Sequence, residues 1–349
     1  MELKAIQELK PKIEQAIQLI DEAAKKKQVI FVRHHNDCDG YSAALALDKL
    51  IRYKIEKNHF KSRDVNYFYK RIPCQAPYYS YEDASKDIAF IHDSFVPRNT
   101  NPLILVLDNG SSEQDYEALK KLKIFGFKII VIDHHPTSPL IDEVADVHIN
   151  AHLVTEDPKM SAGALCSYIA KMYDNAKYYD EIVCISSIAD KMEGEAYEYS
   201  FKQIKEKYSF KELKNFGDAI DYELQKNGFL DPWTTIKELF LNEKGLRSQI
   251  LKLINPIMEK AIQENLETSL KHCETKEVKG KIVTFIDIAS TNLRHHYPIQ
   301  GKATSILHRH MSKKNPDKEC ITIGYSPEMA SFRGTNHSGI DTNKIISEL

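Results

Sequence analysis

The sequence lacks paired cysteines, long apolar runs and an excess of charge of either sign. Its six cysteines form no C-x-x-C pair, which indicates a reduced protein without a zinc ribbon. No stretch reaches the roughly 18 apolar residues of a membrane-spanning helix, and the N-terminus has no signal-peptide apolar core. Lys+Arg 48 against Asp+Glu 50 leaves a net charge of -2, which does not favour a long nucleic-acid duplex as partner. These absences predict a cytoplasmic protein with no membrane partner.

Two common catalytic signatures are also missing. The chain has neither a G-x-x-x-x-G-K-[ST] phosphate loop nor a G-x-S-x-G nucleophile elbow. A hydrophobic content of 42% and a charged content of 28% are nevertheless typical of a globular protein, and 349 residues allow two domains. Any catalytic chemistry must therefore come from other clusters of polar side chains.

One such cluster follows the apolar run of residues 129–132, which predicts a buried strand. The run ends in Asp133-His134-His135 and then a proline. In open α/β sheets, ligands bind outside the carboxyl ends of the strands. We therefore expect this triplet at a functional site, and we ask which other polar groups arrive at the same edge of the sheet.

A second strand is predicted at residues 29–32, and it leads into a turn that contains His35, Asp37, Asp39 and Gly40. A helical pattern follows at once, so the turn joins a strand to a helix. A helix cap needs only one Asp or Asn here, whereas several buried carboxylates are unfavourable without a cation. The functional interpretation is therefore favoured over a simple cap.

The same pattern of an apolar run followed by an aspartate occurs twice more. Residues 103–107 precede Asp108, and residues 182–189 precede Asp190. Asp108 alone would be read as a helix cap. Beside the other strand ends, both aspartates are expected to contribute carboxylates to the same cleft.

The remaining sequence divides the chain. Apolar residues at three- and four-residue steps predict an amphipathic helix over residues 2–27. Residues 196–275 lack strong strand signals and predict a helical connector, and strand signals return from Lys281. The predicted fold is α/β: an open, mostly parallel sheet with flanking helices at 1–195, the connector, and a smaller α/β domain at 276–349.

The collected groups suit hard divalent cations. Carboxylate oxygens with a few imidazoles favour Mn²⁺, with Mg²⁺ as an alternative, over metals that prefer thiolate. The ligands are too many for one ion. Two cations about 3.5–4 Å apart that share a carboxylate would accommodate them and activate water for attack on a phosphoryl group.

These motifs resemble those of the DHH phosphoesterase superfamily, in the order His35-x-Asp37-x-Asp39-Gly40, Asp108, Asp133-His134-His135 and Asp190. The resemblance covers about residues 29–191. It implies His35, Asp37 and Asp108 on one cation, and it implies a second cation on Asp39, Asp108, His134 and Asp190. It also implies that His135 lies by the scissile phosphate and that Asp133 orients its neighbours.

The first motif is more similar to RecJ and its archaeal exonuclease relatives than to other branches of the superfamily. The pyrophosphatases and the pAp-phosphatase branch usually place a histidine four residues before the first aspartate, where this chain has Arg33. This difference argues mildly against a pyrophosphatase. It also leaves His34 and His35 as alternative ligands.

The C-terminal part resembles the DHH-associated substrate-binding domain. Ser331-Phe332-Arg333 is similar to the S-x-R strand of that domain, which implies that Arg333 binds a substrate phosphate or chain end. The sequence ends where the G-G-G-H loop of the family would begin, so we expect either that the natural end has been lost or that the loop is absent. Residues 334–337 (Gly-Thr-Asn-His) precede the final predicted helix and are not its equivalent.

The resulting hypothesis is a manganese-dependent phosphodiesterase that cleaves terminal nucleotides from short or single-stranded RNA or DNA. Alternative activities are those of a pAp phosphatase, a cyclic-dinucleotide hydrolase or a pyrophosphatase. A further alternative is a non-catalytic nucleic-acid-binding module of the same fold, which would be expected to have lost several metal ligands. The sequence leaves the polarity of cleavage, the choice of RNA or DNA and an oligomeric state open.

Overall fold

The computed structural model describes residues 3–58, 63–93, 101–156, 158–174, 176–228, 230–291, 297–327 and 330–335. The chain divides into two compact units. The first contains Met1–Asp221 and Asp231–Leu246, and the second contains Tyr222–Leu230 and Arg247–Leu349. The division at residues 195 and 275 stays a prediction.

The first unit contains parallel strands and the helices that connect and flank them. Its strands are β1 Ile30–His34, β2 Tyr69–Pro73, β3 Leu103–Leu107, β4 Lys128–Asp133 and β5 Val147–Asn150. Its helices begin with α1 Lys4–Lys25, α2 Cys38–Asn58, α3 Asp64–Phe68, α4 Tyr81–Asp93, α5 Tyr116–Ile124 and α6 Ile141–Val144. They continue with α7 Ala162–Lys171, α8 Tyr178–Ala189, α9 Glu195–Ile204, α10 Phe210–Asn227, whose last turns belong to the second unit, and α11 Trp233–Leu241.

The five described strands of this unit are all parallel, in the order β2-β1-β3-β4-β5. Every residue of β1, β3 and β5 is buried, and β4 is buried except for Lys128. Continuous burial is expected of a parallel sheet with helices on both faces. One face packs Phe31, Val106 and Val131 against residues of α4 and α5 such as Ile88 and Leu119. The predicted open parallel sheet with flanking helices is confirmed.

The second unit contains a smaller mixed sheet. Its further elements are α12 Arg247–His272, β6 Glu274–Val278, β7 Lys281–Asp287, α13 Ile288–Thr291, α14 Gln300–Lys314, β8 Cys320–Tyr325 and β9 Ala330–Gly334. The strand order is β6-β7-β8-β9, with β7 and β8 parallel and both outer pairs antiparallel. Leu307 and Met311 of α14 pack on Ile282 and Ile286 of β7, which forms a small separate core. The predicted smaller α/β domain is confirmed in its fold class.

No helix in the described part of the chain has the length and apolarity needed to cross a bilayer.

Candidate metal centre

The site forms where three neighbouring strands end. Because β1, β3 and β4 are parallel and adjacent, their last residues lie side by side: His34 is opposite Leu107, and Leu107 is opposite Ile132. The residues that follow these strands therefore meet at one edge of the sheet. Eight side chains predicted from the sequence arrive there, namely His35, Asp37, Asp39, Asp108, Asp133, His134, His135 and Asp190.

A first group joins His35, Asp37 and Asp108, each with one ligand atom within 4.8 Å of the others. His35 Nδ1 lies 2.9 Å from Asp37 Oδ2 and 3.5 Å from Asp108 Oδ2. Burial disfavours the charged form of His35, but the two carboxylates outweigh it and raise the pKa of His35 well above its usual value. The other oxygen of Asp37 accepts a hydrogen bond from the Gly40 amide at 2.9 Å, so Asp37 also caps α2.

A second group joins Asp39, His134 and Asp190. His134 Nε2 lies 3.3 Å from Asp190 Oδ2, 3.7 Å from Asp39 Oδ2 and 3.3 Å from Asp108 Oδ1. Burial opposes the charged imidazole, yet these carboxylates raise the pKa of His134 to about 10. Burial raises the pKa of Asp190 to about 7, and the nearby Asp108 and Asp37 carboxylates act in the same direction. Without a cation, this group therefore retains protons at neutral pH.

Asp108 lies between the two groups. Its Oδ2 faces His35 and its Oδ1 faces His134, at 3.5 and 3.3 Å. Within the described residues, neither of these buried oxygens accepts a hydrogen bond of good geometry, and both ring nitrogens of His134 are also buried without a hydrogen-bond partner. Buried polar atoms are otherwise nearly always paired. Donors of this kind fit divalent cations, and Asp108 is placed to be shared by two.

The backbone supports this placement. Asp108 has a φ of 57°, in the left-handed region that Asp adopts more readily than most residues. At the opposite side of the second group, the Asp39 carboxylate accepts hydrogen bonds from the amides of Ala162 and Gly163, each at 2.8 Å. These amides begin α7, whose positive dipole end stabilises a carboxylate. Asp39 is therefore fixed by the N-terminus of a helix.

Asp133 is saturated by hydrogen bonds from the protein. Its Oδ1 accepts from the His134 amide at 2.7 Å and from His135 Nδ1 at 2.9 Å, and its Oδ2 accepts from the Ser111 amide at 3.2 Å. Burial acts to raise the pKa of Asp133, but these donors and the two imidazoles hold it well below its usual value. Asp133 is therefore suited to orient its neighbours.

His135 is the partly exposed member of the cluster, with 46% of its side chain accessible. Its Nδ1 is anchored on Asp133, which leaves Nε2 as the free polar end of the ring. Burial disfavours the imidazolium, but the Asp133 hydrogen bond raises the pKa of His135 to about 9. At neutral pH His135 is thus a cation whose Nε2 carries a proton.

Asp190 corrects one expectation. The apolar run before it is the helix α8, not a strand, and Asp190 is the residue that ends this helix. Residues 182–188 of the run are all buried, so the two-residue and 3.6-residue periodicities cannot be distinguished in it. Asp190 reaches the site nonetheless, from the carboxyl end of α8.

His34 lies outside these groups, although the sequence leaves it as an alternative ligand. Its Nδ1 donates to the His35 carbonyl at 2.8 Å, and its Nε2 accepts from Arg71 at 2.7 Å. Arg33 is buried on the other face of the sheet in an ion pair with Asp87. The structure therefore brings His35, and neither of the two residues before it, to the edge of the sheet.

Arg333 lies on β9 in the second unit, as predicted for the S-x-R strand. Its guanidinium donates to Ser305 Oγ at 2.8 Å and to the Phe332 and Gly301 carbonyls. In the described part of the chain it has no ion pair with a carboxylate. Burial lowers its pKa. Asn336 and His337 of the Gly-Thr-Asn-His segment and the chain end lie outside the described residues.

Sequence reasoning missed the residues behind the triplet. Ser111 follows Asp108 by three positions, and His148 lies in the short strand β5; both are buried and hydrogen-bonded to each other at 3.0 Å. Asn150 ends the same strand and contacts the His135 carbonyl at 2.9 Å. A polar residue at the end of another parallel strand is the signal that could have indicated Asn150.

Comparisons with known proteins agree with this geometry. Residues 28–192 match the model described as the DHH family, N-terminal domain. Residues 28–192 are therefore a DHH-family domain, which confirms the resemblance carried by the four motifs.

Among known proteins, the chain is similar to the uncharacterized protein MJ1198 of Methanocaldococcus jannaschii, at 29% identity over 361 residues. The match covers 95% of this chain and 47% of that protein, so the chain spans about half the length of this curated relative.

Two kinds of solved structure are also similar. The PF0399 DHH domain, described as part of a member of a family of ribosomal proteins, has a TM-score of 0.92 at 28% identity over 99% of this chain and 83% of that chain. Exonuclease RecJ bound to manganese has a TM-score of 0.60 at 13% identity, over 96% and 84%. RecJ from Thermus thermophilus in complex with Mn²⁺ has a TM-score of 0.58 at 13% identity, over 93% and 46%. At such low identity, the RecJ comparisons show a shared fold only.

Proposed function

We propose that this protein is a divalent-metal-dependent phosphodiesterase that hydrolyses short or single-stranded nucleic acids. The observation that carries the proposal is the pair of ligand groups that share Asp108, whose buried oxygens lack hydrogen-bond partners among the described residues. A buried carboxylate needs nearby positive charge, which the His35 and His134 imidazoles supply in the metal-free protein and which a pair of cations would supply in their place.

In this proposal, His35, Asp37 and Asp108 hold one cation. The second cation is held by four residues, Asp39, Asp108, His134 and Asp190. Two cations at such a site supply positive charge to a phosphoryl oxygen and a water-derived nucleophile near neutral pH. The mixed imidazole and carboxylate donors favour Mn²⁺ over Mg²⁺, which prefers oxygen ligands.

His135 and Asp133 complete the site without binding the cations. His135 holds a proton on Nε2 and directs it toward the open side of the site, where it donates a hydrogen bond to a phosphate oxygen. Asp133 holds the ring by its Nδ1 and remains ionised, because its pKa lies well below its usual value. Charge-assisted hydrogen bonds to phosphate are stronger than neutral ones.

The proposed substrates are short single strands of RNA or DNA, or nucleotides. A net charge of -2 fits a ligand with few phosphates better than a long duplex. Arg333, a guanidinium without a carboxylate partner in the described residues, is the proposed contact to a substrate phosphate or chain end. Free thiols at all six cysteines support a cytoplasmic location.

The experiment is a manganese-dependent time course on short RNA and DNA labelled at the 5′ or the 3′ end, with pAp, a cyclic dinucleotide and pyrophosphate in parallel. We expect release of terminal nucleotides from one end of the short strands. Hydrolysis of one of the other three compounds alone would assign the site to that alternative activity.

Two variants distinguish hydrolysis at this site from hydrolysis by a contaminating enzyme. Asp108→Asn removes the shared carboxylate and should lower activity by more than the about 10–100-fold typical of residues that only support metal ligands. Asp317→Asn changes an exposed carboxylate in a turn of the second unit and should leave activity unchanged. If every substrate stays intact and metal analysis finds no bound manganese in the wild type, the protein is a non-catalytic module and the proposal is wrong.

A further inference from the structure

A chain of hydrogen bonds runs behind the candidate metal centre, from the surface to His135. Asp142 Oδ1 lies 3.1 Å from His148 Nδ1, and His148 Nε2 lies 3.0 Å from Ser111 Oγ. Asn150 Nδ2 then contacts both Ser111 Oγ at 3.1 Å and the His135 carbonyl at 2.9 Å. None of these four residues, Asp142, His148, Ser111 and Asn150, belongs to the two ligand groups that share Asp108.

The direction of donation along this chain is fixed by one backbone contact. The His152 amide donates to Asn150 Oδ1 at 2.9 Å, so the side of Asn150 that faces Ser111 and His135 is its NH₂ group. This group uses its two protons on Ser111 Oγ and the His135 carbonyl. Ser111 Oγ is thus an acceptor toward Asn150, and its own proton is directed to His148.

The same logic fixes the tautomer of His148. Because Ser111 donates to Nε2, that nitrogen carries no proton, and the single proton of the neutral ring is on Nδ1. Nδ1 then donates to Asp142 Oδ1. Every donor and acceptor in the chain is satisfied by this arrangement. A proton on Nε2 would leave the Ser111 hydroxyl without an acceptor.

We propose that His148 is a positioning residue that holds His135 in place through Ser111 and Asn150. Ser111 links the two parts of this network. Its amide donates to Asp133 Oδ2 at 3.2 Å, and its hydroxyl is hydrogen-bonded to both His148 and Asn150. The Asp133 carboxylate and the His135 carbonyl are therefore fixed from one buried network. The proposal rests on the proposed function, in which the His135 imidazole contacts the substrate phosphate.

Burial makes the network sensitive to the loss of one partner. His148 is 2% exposed, and Ser111 and Asn150 are fully buried, so water has no access to replace a missing acceptor. Burial also lowers the pKa of His148, against the opposing effect of Asp142, which agrees with a neutral ring. Hydrogen-bond partners behind a metal site commonly fix the orientation of the histidines in front of them.

The test compares two substitutions of His148. In His148→Leu the acceptor for Ser111 is lost, and we expect kcat to fall about 10-fold or more, as for other supporting residues. KM and the Mn²⁺ affinity measured by calorimetry should stay near the wild-type values, because the two ligand groups are untouched. His148→Gln offers an amide oxygen to Ser111 and should recover most of kcat.

The control is His92→Leu, the same substitution at an exposed histidine of α4, which should leave kcat unchanged. If His148→Leu fails to fold, Ser111→Ala removes the hydroxyl in its place and should give the same split between kcat and KM. Equal loss of kcat and Mn²⁺ affinity, or no rescue by Gln, would mean that His148 has only a structural role.

A second readout does not depend on activity. Long-range ¹H–¹⁵N spectra of metal-free protein labelled at histidine should show His148 with its proton on Nδ1. The His135 ring signals should move in His148→Leu and remain in place in His92→Leu. A proton on Nε2 of His148 overturns this inference. An inactive wild type with the expected spectra overturns the proposed phosphodiesterase alone.

Discussion

Replacing Gly163 by alanine should destabilise the first unit and disturb Asp39. Gly163 lies in the first turn of α7, and its amide donates to Asp39 Oδ1. A Cβ added there would lie 2.5 Å from the Cβ of Ser42 and 2.8 Å from both Asp39 Oδ1 and the Cβ of Ser186. The glycine therefore permits the close approach of α7 to the candidate metal centre.

The expected change in the free energy of unfolding of Gly163→Ala is the sum of two opposing effects. Alanine is favoured over glycine inside a helix by about 1 kcal/mol. Overpacking of a filled core costs about 1–3 kcal/mol, and contacts below 3.0 Å on three sides place Gly163 toward the upper end of that range. We expect a net loss of about 1–2 kcal/mol in the free energy of unfolding. The Asp39 carboxylate should also move, which should weaken Mn²⁺ binding.

Gly217 of α10 provides a matched control in the same unit. A Cβ there would lie 3.6–3.7 Å from its nearest neighbours, which is ordinary van der Waals contact. Gly217→Ala should therefore gain most of the about 1 kcal/mol of helix propensity. The two variants should differ by about 2–3 kcal/mol, or roughly 4–12 °C in Tm at 2–4 °C per kcal/mol. Calorimetry of both variants, with Mn²⁺ titration of each, measures this difference. If Gly163→Ala is as stable as Gly217→Ala and binds Mn²⁺ normally, the close-approach argument is wrong.

Three further predictions concern the centre and Arg333. In the metal-free protein, Asp108→Asn should lower Tm at neutral pH, because the protonated His35 and His134 imidazoles lose the carboxylate that they face; a raised Tm would show that the imidazoles do not compensate Asp108. Mn²⁺ binding should release protons and weaken as pH falls, because the pKa values of His134 and Asp190, about 10 and about 7, leave protons that the cation must displace. Calorimetry in buffers of different ionisation enthalpy detects this release, and binding that is independent of buffer and pH would contradict it. Arg333→Gln should raise KM by about 10–100-fold, from the roughly 1.5–3 kcal/mol of a charge-assisted hydrogen bond, while the exposed Arg309→Gln on α14 serves as the control and should leave KM unchanged.

The strand ends could be predicted from the sequence because burial on both faces makes the strands continuously apolar. Residues 103–107 and 129–132 are such runs, and each stops abruptly at an aspartate. The structure confirms both as strands and places Asp108 and Asp133 at one edge of the sheet. The turn also contains a helix cap of the kind that one Asp or Asn could provide, since the Asp37 carboxylate both caps α2 and faces His35.

Other elements could not be predicted, for reasons that differ from one to the next. The helix α8 is buried from Tyr179 to Ile188, so most of its sequence has no exposed polar face to reveal a helical period. Strand β2 lies at the edge of the sheet and carries Lys70 and Arg71, so its sequence lacks the continuous apolar run that indicates a buried strand. For both α8 and β2, the position of the element in the folded chain determines its burial, and the burial determines which pattern its sequence shows.

The hydrogen-bond network behind His135 could not be predicted from the sequence for a third reason. The importance of His148 depends on Ser111, which is 37 residues away in the sequence. A pairing between one polar residue in a loop and another on a strand leaves no periodic signal in one sequence. Only the register of β4 and β5, which places Asn150 opposite Asp133, brings these groups together.

The ligands of the candidate metal centre come from distant positions in the sequence, and this separation has a consequence for folding. The candidate centre combines His35 with Asp190, which lie near opposite ends of residues 28–192 in the sequence. Cations held there would act as a reversible cross-link over most of the DHH domain, and long loops are the ones whose closure costs the most entropy. Because such cations bind only the folded chain, they would stabilise the first unit in proportion to the logarithm of their free concentration. The availability of metal in the cell would then determine how much of this protein persists in its folded form, independently of catalysis.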